Sequence, residues 1–249
     1  MKPATKTTQK AQKDKTPQRP ALQIAAPAVT VVEGLASTLR ARILNGDFAP
    51  GEFLRDLRMV EEYSVSRNTF RAAAQTLVAQ GILRQIANRG FFVPSFGPDD
   101  VVDITRLRGV LEGEAVRMIV LSGAIPQDAL QALEIMKEAS RGDAANTLVA
   151  ADKNFHRAIV AASASERLQR SYDVLEGEIE LLLVQRQSFY EDPKEMYEEH
   201  KVLIESLRSR DFETARDAFV EHWDDLRIKL LRQAGTIKPG AKAGHGRQN

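Results

Sequence analysis

The stretch from residue 42 to residue 94 constrains the fold more than any other part of this chain. Val65-Ser66-Arg67-Asn68-Thr69-Phe70-Arg71 sets a short turn and a serine ahead of a helix carrying arginines four residues apart. Upstream, Val32, Leu35, Leu39 and Ile43 recur at helical spacing and mark the buried stripe of a first helix, which Gly46 and Pro50-Gly51 end. Leu57–Tyr63 gives a short second helix. Ser66, whose hydroxyl can accept a backbone N–H at a helix start, caps a third that runs to about Ala79. Phe70, Ala74, Leu77 and Val78 face inward on it, and Gly81 stops it. Ile82–Gln85 and Gly90–Val93 then pair as strands around an Asn88-Arg89-Gly90 turn. Helix, tight turn, helix and β-hairpin in that order predict a winged helix-turn-helix, whose second helix fits the DNA major groove.

Polar chemistry on the third helix agrees. Arg67 and Arg71 lie one turn apart on the same face, with Asn68 beside them near the helix N-terminus, the end that enters the groove. Arginine can donate bidentately to guanine and asparagine to adenine, each discriminating by about 1–3 kcal/mol. Arg89 at the wing tip is placed to reach a minor groove or a phosphate.

Beyond a short linker, Pro94-Ser95-Phe96-Gly97-Pro98, the pattern turns wholly helical. Candidate helices cover 99–122, 126–140, 144–163, 166–190, 192–208 and 211–233, with Gly123, Pro126, Gly142, Pro193 and Ser209-Arg210-Asp211 at the breaks. Six helices with short connections predict an antiparallel bundle able to hold a ligand in its core. The expected fold class is therefore mainly α. The expected organisation is a polar tail over 1–29, a winged module over 30–94, a linker over 95–98, a helical domain over 99–233 and a second tail over 234–249. The first tail carries Lys2, Lys6, Lys10, Lys13, Lys15 and Arg19 against Asp14 alone, and reads either as a solubilising extension or as an arm attracted to phosphates.

Composition narrows the chemistry. The 249 residues include no cysteine, which excludes disulfide scaffolds, thiolate metal sites and cysteine nucleophiles. No secretory signal and no membrane span are expected, which places the chain in the cytoplasm. The net charge of only +1 requires any DNA-directed positive charge to be local.

Histidines supply the second constellation. The chain has four, His156, His200, His222 and His245, and the first three fall inside predicted bundle helices. Asp152 and His156, spaced i, i+4, point from one helical face. His200 and His222 lie on two later helices, separated as an antiparallel hairpin would need. One oxygen and three imidazoles suit a divalent transition metal (Zn²⁺, Ni²⁺ or Mn²⁺) better than an oxygen-seeking ion such as Ca²⁺.

Taken together, residues 42–94 resemble the DNA-binding domain of the GntR family of bacterial transcription regulators, through Gly46, Pro50-Gly51, Val65-Ser66-Arg67, Arg71, Gly81 and Asn88-Arg89-Gly90. The resemblance implies that Ser66, Arg67, Asn68 and Arg71 contact bases and phosphates and that Arg89 and Gly90 form the wing tip. Thr69 and Ala72 depart from the family pattern. An arginine that some members carry on the second helix falls on Leu57 here, with Arg55 and Arg58 beside it as substitutes. Residues 99–233 are similar to the FadR-type ligand-binding (FCD) domain in its metal-binding branch, which implies Asp152, His156, His200 (after Glu199) and His222 as ligands. In that branch the metal commonly receives a small carboxylate that changes DNA affinity. Arg108-Gly-Val-Leu-Glu112 matches a family pattern, which implies that Arg108 and Glu112 face the effector, with Arg186 a weaker candidate. The alternative for Arg108 and Glu112 is an intrahelical ion pair.

These readings converge on a cytoplasmic, homodimeric DNA-binding regulator, a repressor in the first instance, acting on a palindromic operator. Dimerisation is expected because one winged helix reads only a half-site. Two other classes stay open: a metal-responsive regulator with the ion itself as signal, and a metal-dependent hydrolase, for which no base is identifiable.

Overall fold

A computed structural model describes residues 30–141, 145–186, 192–233 and 235. The two expected tails, Gly235 apart, and the last residues of the expected 166–190 helix lie outside the described residues. The first helix, α1 (Val31–Leu44), buries Leu35, Ala36, Leu39 and Ile43, so its stripe runs as the spacing predicts, with Val32 only half-buried. A short strand β1 (Phe53–Leu54) follows, then α2 (Asp56–Tyr63) and α3 (Arg67–Ala79). Ser64 ends α2 in the left-handed region at φ 51°, and two residues later Ser66 caps α3 by accepting the Thr69 N–H at 3.0 Å. That tight reversal packs α3 across α1 around Phe70, Ala73, Ala74 and Leu77, all fully buried.

The hairpin forms between β2 (Arg84–Ile86) and β3 (Gly90–Phe92), both shorter than the alternation suggests. Ile82 and Leu83 are drawn into the core instead of the ladder. β1, which the sequence reading leaves unassigned, pairs antiparallel with β3 (Phe53 opposite Phe92, Leu54 opposite Phe91), giving a three-stranded sheet in the order β1-β3-β2. Phe53 and Phe92 stack across that pair at 5.2 Å.

The remaining helices are α4 (Pro98–Ser122), α5 (Gln127–Ala139), α6 (Ala145–Ala161), α7 (Glu166–Gln185), α8 (Pro193–Arg208) and α9 (Phe212–Gln233), close to the expected spans. They form the bundle, with α5 against α6 and α9 along α4 and α8. None of the described helices is long and apolar enough to cross a membrane.

The two modules are not beads on a string. From Val31 onward the described residues form one compact unit, and a single apolar core joins Phe70, Ile82 and Phe91 of the winged module to Leu175, Leu182 and Leu226 of α7 and α9. The expected linker is itself seated: Pro94 and Phe96 are buried, Gln185 Nε2 donates to the Pro94 carbonyl at 2.7 Å, and Arg186 donates to the Phe96 carbonyl at 2.8 Å. Linker backbone that meets fixed donors on α7 is held at a defined angle rather than left free.

Candidate functional site

On the winged module, the residues proposed for DNA stand on one open surface. Arg67 and Arg71 are exposed at the start of α3 and share one acidic neighbour, Asp56 of α2, at 3.8 and 3.2 Å. Such exposed pairs contribute little stability and can be exchanged for a phosphate or a base edge at small loss. Asn68 is exposed between them. At the wing, Asn88 and Gly90 take φ of 62° and 97°, a turn that only small or amide side chains adopt easily. Arg89 at its tip lies over the Phe53 ring at 5.2 Å. Arg58 pairs with Glu52 at 3.0 Å and Glu62 at 3.7 Å, while neighbouring Leu57 is 72% exposed. An exposed leucine has no packing role there, so this corner differs chemically from an arginine-bearing one.

The bundle interior brings Asp152 and His156 of α6, His200 of α8 and His222 of α9 together. One ligand atom from each lies within 4.8 Å of the others, and all four residues are buried. Their hydrogen bonds fix the tautomers. His200 Nδ1 lies 2.7 Å from the Met196 carbonyl, an acceptor only, so Nδ1 carries the proton and Nε2 offers a lone pair. His156 Nδ1 lies 2.9 Å from Glu112 Oε2, which likewise leaves Nε2 as a lone pair. These two Nε2 atoms stand 3.1 Å apart, and Asp152 Oδ1 lies 3.0 Å from that of His200 and 3.7 Å from that of His156. Neither ring nitrogen of His222 has a hydrogen-bond partner, although Nδ1 comes within 3.5 Å of Glu199 Oε2. Converging lone pairs repel one another unless a cation stands between them. The set fits a divalent transition metal.

Electrostatics favour the same occupant. Burial, reinforced by the nearby Arg108 charge, pushes the His156 imidazole down to about 4, against the opposing pull of Glu112. Burial also lowers His222. Asp152 stays well below the usual carboxylate range despite its burial, because His200, His156 and Arg108 stabilise its anion. Neutral imidazoles and an ionised carboxylate are the protonation states that bind a metal without first releasing a proton.

Beneath the cluster sits Glu112, fully buried. It accepts from Arg108 Nε at 2.8 Å, Tyr172 Oη at 2.7 Å and Trp223 Nε1 at 3.0 Å besides His156. Four donors hold its charge, and Arg108 and His156 keep its acidity far stronger than an ordinary glutamate's against the burial that opposes it. Glu112 thus orients His156 and is not among the residues that line the neighbouring cavity. The ion pair weighed for Arg108 and Glu112 is present, yet Arg108 also borders a cavity with Asp152, Lys153, His156, Glu176 and Glu180. That cavity has a volume of about 10 Å³, room for one water at most. Arg186, the weaker effector candidate, sits at the C-terminal end of α7, donates to the linker carbonyl of Phe96 and is not among the residues that line this cavity.

Comparison with known proteins completes the geometry. Residues 32–93 match the family model described as bacterial regulatory proteins, gntR family, and residues 103–225 match the FCD domain. The chain thus joins a GntR-type DNA-binding domain to an FCD domain, the arrangement of a GntR/FadR-type regulator. The HTH-type transcriptional regulator BphR of Paraburkholderia xenovorans is 29% identical over 217 residues, spanning 84% of this chain and 88% of its own. The gluconate operon transcriptional repressor of Bacillus subtilis is 25% identical, over 79% of this chain and 83% of its own. A putative GntR regulator from Rhodococcus shares the fold with a TM-score of 0.67 at 22% identity, covering 83% of this chain and 99% of its own. The chain is thus a transcription regulator, and its FCD bundle fits control by a ligand.

Tyr172, Trp223, Glu176 and Glu199 surround the site; the first three are absent from the sequence candidates, and Glu199 enters them only as the residue before His200. Trp223 follows His222 directly and Glu199 precedes His200. Each neighbours a ligand in sequence yet serves a histidine other than the adjacent one, so sequence proximity carried no usable signal.

Proposed function

We propose that this regulator binds a palindromic operator as a homodimer through Arg67, Asn68, Arg71, Ser66, Arg58 and the Arg89-Gly90 wing. Its affinity is set by a small carboxylate held beside a Zn²⁺, Ni²⁺ or Mn²⁺ ion on Asp152, His156, His200 and His222. Repression is the favoured sense, in line with the printed role of the gluconate operon relative. The observation that carries the reading is a shared helix. One face of α7 (Tyr172, Glu176, Ile179, Leu183) walls the cavity beside the metal cluster. The same helix seats the winged module: Glu178 pairs with Arg84 at 3.1 Å, Gly177 abuts the Gln80 carbonyl at the end of α3, and Glu180, which also borders the cavity, pairs with Arg40 at 2.5 Å. A ligand larger than the cavity must displace a wall. A wall that moves with α7 moves the DNA-reading head, so the ligand prefers one head arrangement over another.

Arg108 supplies the anion's partner at the cavity, a fork geometry that lysine lacks. The cavity's small size favours a second reading in which the ion alone is the signal. Both are tested by thermal shift with small carboxylates on metal-loaded and chelator-stripped protein. A ligand at a hundred times its Kd adds roughly 2.7 kcal/mol. Stabilisation by an acid only in the metal-loaded sample supports carboxylate sensing; a large shift from metal and none from any acid supports the ion as signal. In His200→Ala, metal stoichiometry should collapse while the winged module still binds DNA. Full metal content in that variant would remove the site.

A further inference from the structure

The long bundle helix α4 buries one side and leaves a stripe open on the other. Asp103, Leu107, Val110, Glu114, Arg117 and Leu121 recur at alternating intervals of four and three residues, and all are exposed. That alternation is the period of a seam between paired helices. Its apolar members stand well open: Leu107 is 47% exposed, Val110 65% and Leu121 70%. Scattered exposed leucines and valines are ordinary on a protein surface, but several in one row along one helix mark a surface that another surface covers. Between Val110 and Leu121 the row carries one charge of each sign. Arg117 pairs with Glu114 at 2.7 Å, an exposed i, i+3 contact that contributes little to the fold.

The order of these side chains points to what covers them. Laid antiparallel on its own copy in the register that sets Leu121 opposite Val110, the stripe also sets Glu114 opposite Arg117. The apolar pair and the charged pair then each form on both sides of a two-fold axis that passes between Glu114 and Arg117. A row that complements itself in reverse is what an isologous interface requires, residue i meeting j and j meeting i. We infer that two copies of this chain pair through α4 in that register, so that the two-fold of the protein matches the two-fold of a palindromic operator. This inference rests on the homodimer reading above.

The experiment is sedimentation velocity on the full chain loaded with Zn²⁺, over a dilution series that gives the dimer Kd. Glu114→Arg makes the middle of the row wholly positive and Arg117→Glu makes it wholly negative, so each variant alone should dimerise at least about tenfold more weakly than the native chain. Mixed in equal amounts, the two should form a heterodimer with a Kd within about threefold of the native one. A variant that merely misfolds would not be rescued by the other. Leu121→Asp should also weaken the dimer at least about tenfold. Native dimers that persist at native Kd in every variant would leave the stripe to another protein or to the chain's own tails, and would overturn the inference while the homodimer reading stands. Weakened variants that fail to restore each other would overturn it equally, because the register is then wrong. If the native chain stays monomeric at about 100 μM, the homodimer reading itself fails and takes this inference with it.

Discussion

Gly177→Ala gives a prediction whose sign alone is informative. Gly177 lies inside α7, where replacing glycine by alanine normally stabilises a helix by roughly 0.8–1 kcal/mol. A Cβ built there, however, would stand 1.7 Å from the Gln80 carbonyl oxygen and 3.4 Å from Ile82 Cδ1. The obstacle is backbone at the end of the recognition helix, so no rotamer change relieves it. α7 and α3 must separate by roughly 1.5 Å to reach ordinary contact, which loosens the Arg84–Glu178 and Arg40–Glu180 pairs and opens core. Overpacking of this kind costs about 1–3 kcal/mol, enough to offset the propensity gain and leave a net loss. Gly34→Ala in α1 is the control, since a Cβ there meets nothing within 4 Å. The assay is thermal unfolding of both variants, with metal content and affinity for operator fragments selected in vitro by the native chain. Gly34→Ala should melt at or above the native temperature. Gly177→Ala should melt about 2–8 °C lower, keep its metal and bind the operator more weakly. Stabilisation by Gly177→Ala with unchanged operator affinity would refute the idea that α7 seats the DNA-reading head.

Other outcomes follow from the same geometry. Arg67→Ala or Arg71→Ala should each weaken operator binding by about ten- to a hundredfold in an electrophoretic shift assay, with metal stoichiometry intact; native affinity in either would remove α3 from the interface. Glu112→Ala strands the buried Arg108 charge and three further donors, and should destabilise the fold by about 3–5 kcal/mol in urea titration; a loss below about 1 kcal/mol would mean the network is rebuilt by water. For metal-free protein, the unfolded chain protonates its histidines near 6.5, whereas native His156 stays neutral down to about 4. The unfolded state therefore binds more protons across that window, and stability should fall as pH drops from 7 to 4. A urea midpoint that rises or holds constant between pH 7 and pH 5 would contradict it.

Legibility in the sequence followed the range of the interaction. Local rules carried the helices: Ser66 is a cap whatever the tertiary context, and the stripe on α1 needs only the helical period. Asp152 and His156 were readable as a pair because i, i+4 fixes their direction on one helix. Their meeting with His200 and His222 was a matter of helix packing, suggested by residue type rather than dictated by spacing. β1 escaped because two residues carry no periodicity, and only its pairing with β3 defines it. The seated linker escaped for the converse reason: Pro94–Pro98 has the composition of a spacer, and its order comes from Gln185 and Arg186 about ninety residues away.

Glu112 shows why a motif alone does not fix what a residue will meet. Arg108 and Glu112 at i, i+4 could equally have faced a ligand together or each other. The outcome depends on what meets them from α6, α7 and α9. His156, Tyr172 and Trp223 all present donors to the same carboxylate, and four donors on one buried anion leave it no capacity for an incoming acid. A fifth, anionic guest there would be repelled, whereas the Arg108 side of the pair still borders open space. The pair therefore divides its labour: the carboxylate turns inward to hold a histidine, and the guanidinium presents the bundle's positive charge to the cavity. A buried ion pair of this kind is a poor source of stability, since hydrophobic replacements of similar volume are often as good. Its place in this fold makes sense through what each partner meets, His156 of the candidate metal cluster on one side and the cavity on the other.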